Sequence, residues 1–182
     1  MQPIKKLART LAGLADEEHY LFTLADLRGA FPGHSPGAFR ALVSRAEREG
    51  LLRRVCRGLY LYPEINYPRG LVLYHAAARL RAHEFNYISL ESALSDAGVI
   101  SQIPLNWVML MSSGRSQTVK CTDFGTIEFV HTKKRPAELG TLLSYDLRCH
   151  LWRASVALAI RDMKATKRSL DLVDWEAVNE LV

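Results

Sequence analysis

The chain has 182 residues, of which 48% are hydrophobic and 24% charged, the balance of a globular protein with room for one large domain or two small ones. No apolar run approaches the roughly 18–20 residues of a membrane span, and the N-terminus lacks the uninterrupted apolar segment of a signal peptide. The three cysteines are widely spaced and form no CxxC pair, which is typical of free thiols in a reducing compartment. We therefore expect a cytoplasmic protein without a membrane partner.

The formal net charge of +5 is unevenly distributed along the chain. Residues 1–69 hold eleven Lys and Arg against seven Asp and Glu, whereas residues 70–182 hold thirteen against twelve. An excess of cations in one part of a chain favours a polyanion as the partner of that part. The first third is therefore where we look for a nucleic-acid interface.

Three helices are predicted in this first third. One spans Pro3 to Ala15, and a second runs from Leu24 to about Ala30, after a short apolar stretch, YLFT, that ends in a capping threonine. The third helix has clear end signals in the sequence. Ser35 is a good N-cap, Pro36 occupies the first helical position, and Gly50 provides a left-handed stop.

The third helix has an apolar face and a basic face when its residues are spaced at about 100°. The predicted buried stripe consists of Phe39, Leu42, Val43 and Ala46. The predicted outer face consists of Gly37, Ala41, Ser44 and Arg48, with Arg40 and Arg45 beside it. Glu47 and Glu49 are predicted to lie back beside the buried stripe, so no acid is expected at the centre of the outer face. A basic helix surface with small and hydroxyl side chains can enter a major groove beside phosphates.

The sequence LLRRVCRGLYLYP, which follows, predicts a β-hairpin around Arg57-Gly58 with its arginines at or near the tip. Three helices and a basic hairpin, or wing, predict a winged helix-turn-helix over residues 1–66 that binds double-stranded DNA. The predicted DNA-binding residues are Ser35, Arg40, Ser44, Arg45, Arg48, Arg53, Arg54 and Arg57. Two alternatives are a merely solvated basic face and a module that docks an acidic protein.

Residues 71–182 are predicted to form an α+β domain after the turn-rich connection NYPRG. The predicted elements are a helix of about four turns (LVLYHAAARLRAHE), a strand (FNYI), a helix between Ser89 and Gly98, two strands around a Ser-Ser-Gly turn (NWVMLMSSGRSQTVKC), a third strand (GTIEFVH), a helix from about Tyr145 to Lys164, and a last helix from about Val173 to Leu181. The predicted sheet is small and antiparallel, with helices on one side. Trp107, Trp152 and Trp175 are expected in the core.

No motif in this second domain predicts catalysis. Asp123-Phe124-Gly125 is interpreted as a turn, because no other kinase motif accompanies it. Asp123 and Glu128 weakly resemble the carboxylate pair of a metal-dependent nuclease, but Val130 stands where such an enzyme would have a lysine. We therefore expect no enzyme, cofactor or metal site, and a nuclease or nucleotidyltransferase is the enzymatic alternative. The basic residues Lys133, Lys134 and Arg135 predict either a solvated loop or additional contacts to DNA or to an acidic partner.

Several segments taken in order resemble the AbiEi family of antitoxins, which belong to the bacterial toxin–antitoxin systems called type IV. They are GLLRRVCRGLYLYP, YISLESALSDAGVI, the predicted hairpin followed by IEFVH, and ASVALAIRDMK. The resemblance implies an autorepressor that binds an inverted repeat ahead of its own operon. It also implies antitoxin activity, in residues 71–182, against a nucleotidyltransferase-type toxin, with or without stable contact. Because one winged helix reads too few base pairs to find a single genomic site, we expect two protomers on the DNA.

Overall fold

The structure, a computed structural model, describes residues 2–101, 103 and 105–182. The chain divides into two compact units, Met1–Val72 and Leu73–Val182. No helix in the described part of the chain is long and apolar enough to cross a membrane.

The N-terminal unit contains three helices and three short strands. They are α1 (Pro3–Leu14), β1 (Leu21–Thr23), α2 (Leu24–Arg28), α3 (Pro36–Arg48), β2 (Arg53–Cys56) and β3 (Leu59–Leu61). Local signals start the helices: Thr23 caps α2 by accepting a hydrogen bond from the backbone N–H of Asp26, and Ser35 caps α3 by accepting one from Ala38 at 3.2 Å. Beyond the end of α3, Gly50 adopts a left-handed conformation with φ of 77°. The three predicted helices are confirmed.

The three strands form an antiparallel sheet in the order β1-β3-β2, in which β2 and β3 are the two strands of the predicted hairpin. Helices and sheet share one apolar core. Its buried residues are Leu7, Leu11, Phe22, Leu27, Phe31, Phe39, Leu42, Val43, Ala46, Leu52, Tyr60 and Tyr62. The predicted stripe of α3 is thus confirmed as part of this core, which leaves the opposite side of that helix to solvent.

The C-terminal unit is built on a larger sheet. Its strands are β4 (Asn86–Ile88), β5 (Trp107–Ser112), β6 (Gln117–Cys121), β7 (Gly125–His131), β8 (Leu143–Asp146) and β9 (Leu151–Ala154). Its helices are α4 (Val72–Leu80), α5 (Leu90–Asp96), α6 (Pro136–Leu139), α7 (Val156–Ala165) and α8 (Trp175–Leu181). Short 3-10 helices, Arg69–Leu71 and Gly140–Leu142, precede α4 and β8. The predicted four-turn helix is shorter than expected, because α4 ends at Leu80.

The six strands of this sheet have the order β6-β7-β5-β4-β9-β8, and the pairs β5–β7 and β4–β9 are parallel. The prediction of a small antiparallel sheet is therefore wrong, since the sheet is larger and mixed. β5 and β6 follow one another around the Ser-Ser-Gly turn, yet β7 lies between them. β5 is buried along nearly its whole length and suits the middle of a sheet, whereas β6 is mostly exposed and suits an edge.

This sheet is covered on both faces, not on one side as predicted. The strand register places Tyr87 of β4 and Phe129 of β7 on opposite faces. On one face, the hydroxyl of Tyr87 donates a hydrogen bond to Asp162 of α7 at 2.9 Å. On the other face, the guanidinium of Arg81, which directly follows α4, lies 4.0 Å from the centre of the Phe129 ring.

The helix predicted over residues 145–164 is wrong in its first half. The chain there forms the antiparallel hairpin of β8 and β9, and α7 begins only after its cap, Ser155. The turn between the two strands is stabilised by Asp146, whose carboxylate accepts hydrogen bonds from the backbone N–H groups of Arg148 and Cys149. An aspartate that satisfies backbone donors in this way favours a turn over continuation of a helix.

Two of the tryptophans expected in the core lie at the surface. Trp152 on β9 is 42% exposed and Trp175 on α8 is 46% exposed, so this prediction is wrong for both. Trp152 packs edge-to-face against Tyr145 of β8, with ring centres 5.3 Å apart. Trp107, at the start of β5, is half-buried. The β8–β9 end of the sheet therefore presents an aromatic pair to solvent.

Candidate nucleic-acid interface

The outer face of α3 is basic and open to solvent. Arg40, Ser44 and Arg48 are exposed on it, opposite the buried stripe. The Nε–H of Arg40 donates to the carbonyl of Pro36 at 3.2 Å, which ties that side chain to the first turn of the helix. Ser35 is exposed as well, but its hydroxyl oxygen already accepts the hydrogen bond that caps α3.

Two acids predicted to lie beside the buried stripe form ion pairs with arginines of this surface, and of the two Glu47 is half-buried. Glu49 is exposed, and its Oε1 lies 2.7 Å from Nε of Arg45. These residues are four positions apart, a spacing that brings side chains together on one side of a helix. Glu47 lies 3.1 Å from the guanidinium of Arg54 on β2. Two of the predicted DNA contacts, Arg45 and Arg54, therefore have a carboxylate partner within the protein.

The hairpin places its three arginines differently. Arg57 is exposed beside Gly58, whose φ of 81° suits the tight turn at the tip. Arg53 and Arg54 lie on β2, paired with residues of β3. Arg53 is at the end of β2 far from the turn, so its predicted position at or near the tip is wrong. The reason is that the turn contains only two residues, and the strand therefore extends back through both arginines.

Arg54 connects α3 to the hairpin. Its Nη2 donates to the carboxylate of Glu47 at 3.1 Å and to the hydroxyl of Tyr60 at 3.4 Å, and its guanidinium lies 5.6 Å from the centre of the Tyr60 ring. Tyr60 and Glu47 both raise the pKa of Arg54. Tyr60 was missed as a member of this site. A regular two-residue turn at Arg57-Gly58 would pair Tyr60 with Val55, but a register shift between Arg54 and Cys56 pairs it with Arg54, and no signal in the sequence indicated this shift.

Three arginines on this surface differ from Arg45 and Arg54. Among the described residues, no Asp or Glu forms an ion pair with Arg40, Arg48 or Arg57. A guanidinium is permanently charged and binds phosphate oxygens in a bidentate geometry. Helix α3 and the hairpin tip together therefore offer donors suited to an extended anion.

The basic segment of the C-terminal unit is arranged differently. Lys133 and Arg135 are exposed between β7 and α6, and Arg135 lies 3.7 Å from the carboxylate of Glu138. The ammonium of Lys134 contacts the fully buried carboxylate of Asp162 at 2.7 Å. Lys134 is therefore engaged in an internal ion pair, Arg135 in a surface ion pair, and Lys133 is exposed to solvent.

The carboxylates considered for catalysis are engaged by the protein itself. Glu128 on β7 forms an ion pair with Arg168, whose Nη1 also donates to both carboxylate oxygens of Glu91, at 2.9 and 3.0 Å. Asp123 lies between β6 and β7, which confirms the predicted turn. In those parts of the chain that the structure describes, no group of three or more His, Cys, Asp and Glu residues could hold a metal ion.

Helices α2 and α3 and the hairpin lie within residues 9–63, which match a family of transcriptional regulators. The description of that family is "Transcriptional regulator, AbiEi antitoxin", so the predicted resemblance to the AbiEi antitoxins is confirmed over these residues. The match covers less than half of the chain, and it includes every DNA contact predicted in the first third. No curated protein matches the chain.

Proposed function

We propose that the N-terminal unit is a winged helix-turn-helix that binds double-stranded DNA, and that the protein represses its own operon. The main support is the set of exposed arginines without an acidic partner among the described residues, Arg40 and Arg48 on α3 and Arg57 at the hairpin tip. The match of residues 9–63 to transcriptional regulators adds to it.

In this proposal α3 enters the major groove, whose width of about 12 Å admits a helix of about 10–12 Å diameter. Arg40 and Arg48 then reach phosphates or the O6 and N7 atoms of guanine, and Ser44 lies between them on the same face. Arg57 contacts the flanking backbone from the hairpin, which acts as the wing. Lys133 and Arg135 remain candidates for additional contacts.

The proposed operator is an inverted repeat that binds two protomers. A single helix and wing contact only a few base pairs, and that is too little to distinguish one site among about 10⁶ or more competitors. Two copies on a two-fold symmetric site double the number of bases read. Footprinting should therefore protect two half-sites, and analytical ultracentrifugation should give two protomers per duplex.

The decisive experiment measures binding to the DNA upstream of the protein's own gene by fluorescence anisotropy over a range of salt concentrations. The variant Arg40→Ala/Arg45→Ala/Arg48→Ala should lose specific binding and lower the slope of log K against log[salt] by about 0.9 for each phosphate contact removed. The matched control, Arg161→Ala/Lys164→Ala/Lys167→Ala, removes the same charge from exposed positions of the C-terminal unit. Operator binding that survives the first variant would refute the assignment.

The C-terminal unit is proposed to supply antitoxin activity against a nucleotidyltransferase-type toxin. The support for antitoxin activity is the family description, which pairs regulator with antitoxin over residues 9–63. Its assignment to the C-terminal unit follows from the resemblance of YISLESALSDAGVI and ASVALAIRDMK to segments of the AbiEi antitoxins. If the two roles reside in different units, the triple arginine variant on α3 should lose repression and still protect cells that express the toxin encoded by the adjacent gene. Loss of protection in that variant, at normal protein level, would contradict this division of roles.

A further inference from the structure

From the contacts of Arg54 we infer that this residue is a positioning residue, which fixes the wing against the recognition helix through Glu47 and Tyr60, and that it is not a phosphate contact. The inference rests on the proposed function, because it concerns how α3 and the hairpin bind one duplex together. It moves Arg54 from the predicted DNA contacts to the residues that hold the wing in position, and it assigns Glu47 on α3 as its partner.

The geometry of Arg54 differs from that of a side chain extended toward DNA. One of its terminal nitrogens is shared between the carboxylate of Glu47 on α3, at 3.1 Å, and the hydroxyl of Tyr60 on β3, at 3.4 Å. Its guanidinium plane lies over the Tyr60 ring, 5.6 Å from the ring centre. Tyr60 is itself only 5% exposed and belongs to the core, so this anchor does not move freely.

The rest of the connection between α3 and the hairpin is short and hydrogen-bonded. The backbone N–H groups of Leu51 and Leu52 both donate to the carbonyl of Ala46, at 2.9 and 3.2 Å. These two hydrogen bonds fix the backbone immediately before β2 relative to α3. The hairpin also packs into the core through Leu52 and Tyr60, and the Glu47–Arg54 ion pair adds an attachment at the surface, farther along β2, which further restricts the angle between helix and hairpin.

A neighbouring ion pair provides an internal comparison. Arg45 and Glu49 both lie at the C-terminal end of α3, 2.7 Å apart, so their pair connects no two elements. Near DNA, the carboxylate of Glu49 competes with phosphates for Arg45 and repels them. Removing its charge should therefore strengthen binding to any DNA. Glu47 carries the same charge on the same helix, yet removing its charge should loosen the outer attachment of the wing to α3.

Glu47 and Glu49 should therefore affect the specificity of DNA binding differently. A wing that is held at one angle binds its flanking phosphates only when α3 is bound to the correct bases. On the operator, the contacts of α3 with the bases and of the wing with the phosphates therefore form together. A wing with a looser attachment to α3 can contact the DNA backbone at more than one angle. Glu47→Gln and Arg54→Gln should each lower the ratio of operator affinity to shuffled-sequence affinity by about twofold to fivefold, the range expected for a half-exposed ion pair. Glu49→Gln should raise both affinities and leave their ratio unchanged.

The test uses the full-length protein, the upstream DNA and a shuffled duplex of equal length and composition, with affinities measured at several salt concentrations. Glu47→Gln should lower the affinity ratio without changing the salt slope on the operator. The charge swap Glu47→Arg/Arg54→Glu should restore most of the ratio, which a general loss of stability could not explain. If Glu47→Gln instead strengthens binding to both duplexes as Glu49→Gln does, then Arg54 is a phosphate contact and the inference is wrong.

A second measurement separates failure of this inference from failure of the proposed function. Hydrogen exchange of the β2 and β3 amides, measured without DNA, should be faster in Glu47→Gln than in the wild type and unchanged in Glu49→Gln. A wild-type protein that does not prefer the operator would refute the proposed function, while the exchange rates still report on the bridge. Equal exchange rates in Glu47→Gln and the wild type would overturn the inference by themselves.

Discussion

The interior of the C-terminal unit contains a charged residue whose removal gives a sharp prediction. Asp162 on α7 is fully buried, and its Oδ2 accepts hydrogen bonds from the hydroxyls of Tyr87 at 2.9 Å and Ser89 at 2.8 Å. Its Oδ1 lies 2.7 Å from the ammonium of Lys134. Asp162→Ala leaves two hydroxyls and one cation without their acceptor in a single step.

The expected loss of stability follows from these contacts. Removing one partner of a buried ion pair costs about 3–5 kcal/mol. The Lys134 side chain is 31% exposed, so its ammonium can recover some hydration, and we expect a value near the lower end, about 3 kcal/mol. Asp162→Asn keeps an oxygen for the two hydroxyls and loses only the charge, so about 1–2 kcal/mol is expected.

The assay is urea unfolding followed by tryptophan fluorescence, which reports only on the C-terminal unit because Trp107, Trp152 and Trp175 all belong to it. The control Asp171→Ala removes an exposed carboxylate from the same unit and should change the free energy of unfolding by less than about 0.5 kcal/mol. A loss below about 1 kcal/mol for Asp162→Ala would show that the buried network is not needed for stability and would refute the reasoning.

Three further predictions concern the same unit. Gly125→Ala should destabilise it by at least about 2 kcal/mol in the same assay, because φ is +129° and a Cβ would lie 2.0 Å from the carbonyl oxygen of Asn106. Burial opposes ionisation of Asp146, but hydrogen bonds from Arg153 and from backbone N–H groups lower the pKa of its carboxylate to about 2. Its contribution to the free energy of unfolding is therefore present above about pH 4 and is lost as the pH falls toward 2. Urea titrations at several pH values should show that Asp146→Asn lacks this dependence. Burial raises the pKa of Cys149 to about 12, so iodoacetamide at pH 8 should label this thiol only after unfolding, and rapid labelling of the native protein would contradict its burial.

The N-terminal unit could be predicted well because its signals are local. Ser35 and Pro36 start α3, Gly50 follows its end, and the spacing of apolar residues determines which side of the helix is buried. Each of these signals acts within a few residues of the element that it defines. The helix boundaries and the hairpin therefore follow from the sequence without any knowledge of distant contacts.

The C-terminal sheet could not be predicted in the same way, because strand order is a non-local property. Periodicity identifies β5, β6 and β7 as strands, but it contains no information that β7 inserts between the other two. Ser89 shows the same limit. It occupies the N-cap position of α5, as predicted, yet its hydroxyl donates to Asp162, 73 residues away, instead of capping the helix.

The candidate interface could be predicted only in part. A helical projection gives the direction of each Cα–Cβ bond and correctly places Arg40 and Arg48 outside. It does not give the reach of a long side chain, so it could not show that Glu47 extends to Arg54 on another element. Sequence reasoning therefore found the cations of the surface but missed the ion pairs that Glu49 and Glu47 form with Arg45 and Arg54.

The cations of α3 differ in their ion pairs from three cations of the C-terminal unit. The C-terminal unit has almost as many acids as cations, and Lys134, Arg153 and Arg168 each bind a carboxylate. On the N-terminal unit, Arg40 and Arg48 form no ion pair with any described residue. An incoming polyanion would have to displace internal carboxylates from those three cations of the second unit, whereas on α3 it meets guanidinium groups that it can bind directly. The proposed contact of Arg40 and Arg48 with DNA therefore requires no internal ion pair of theirs to break among the described residues.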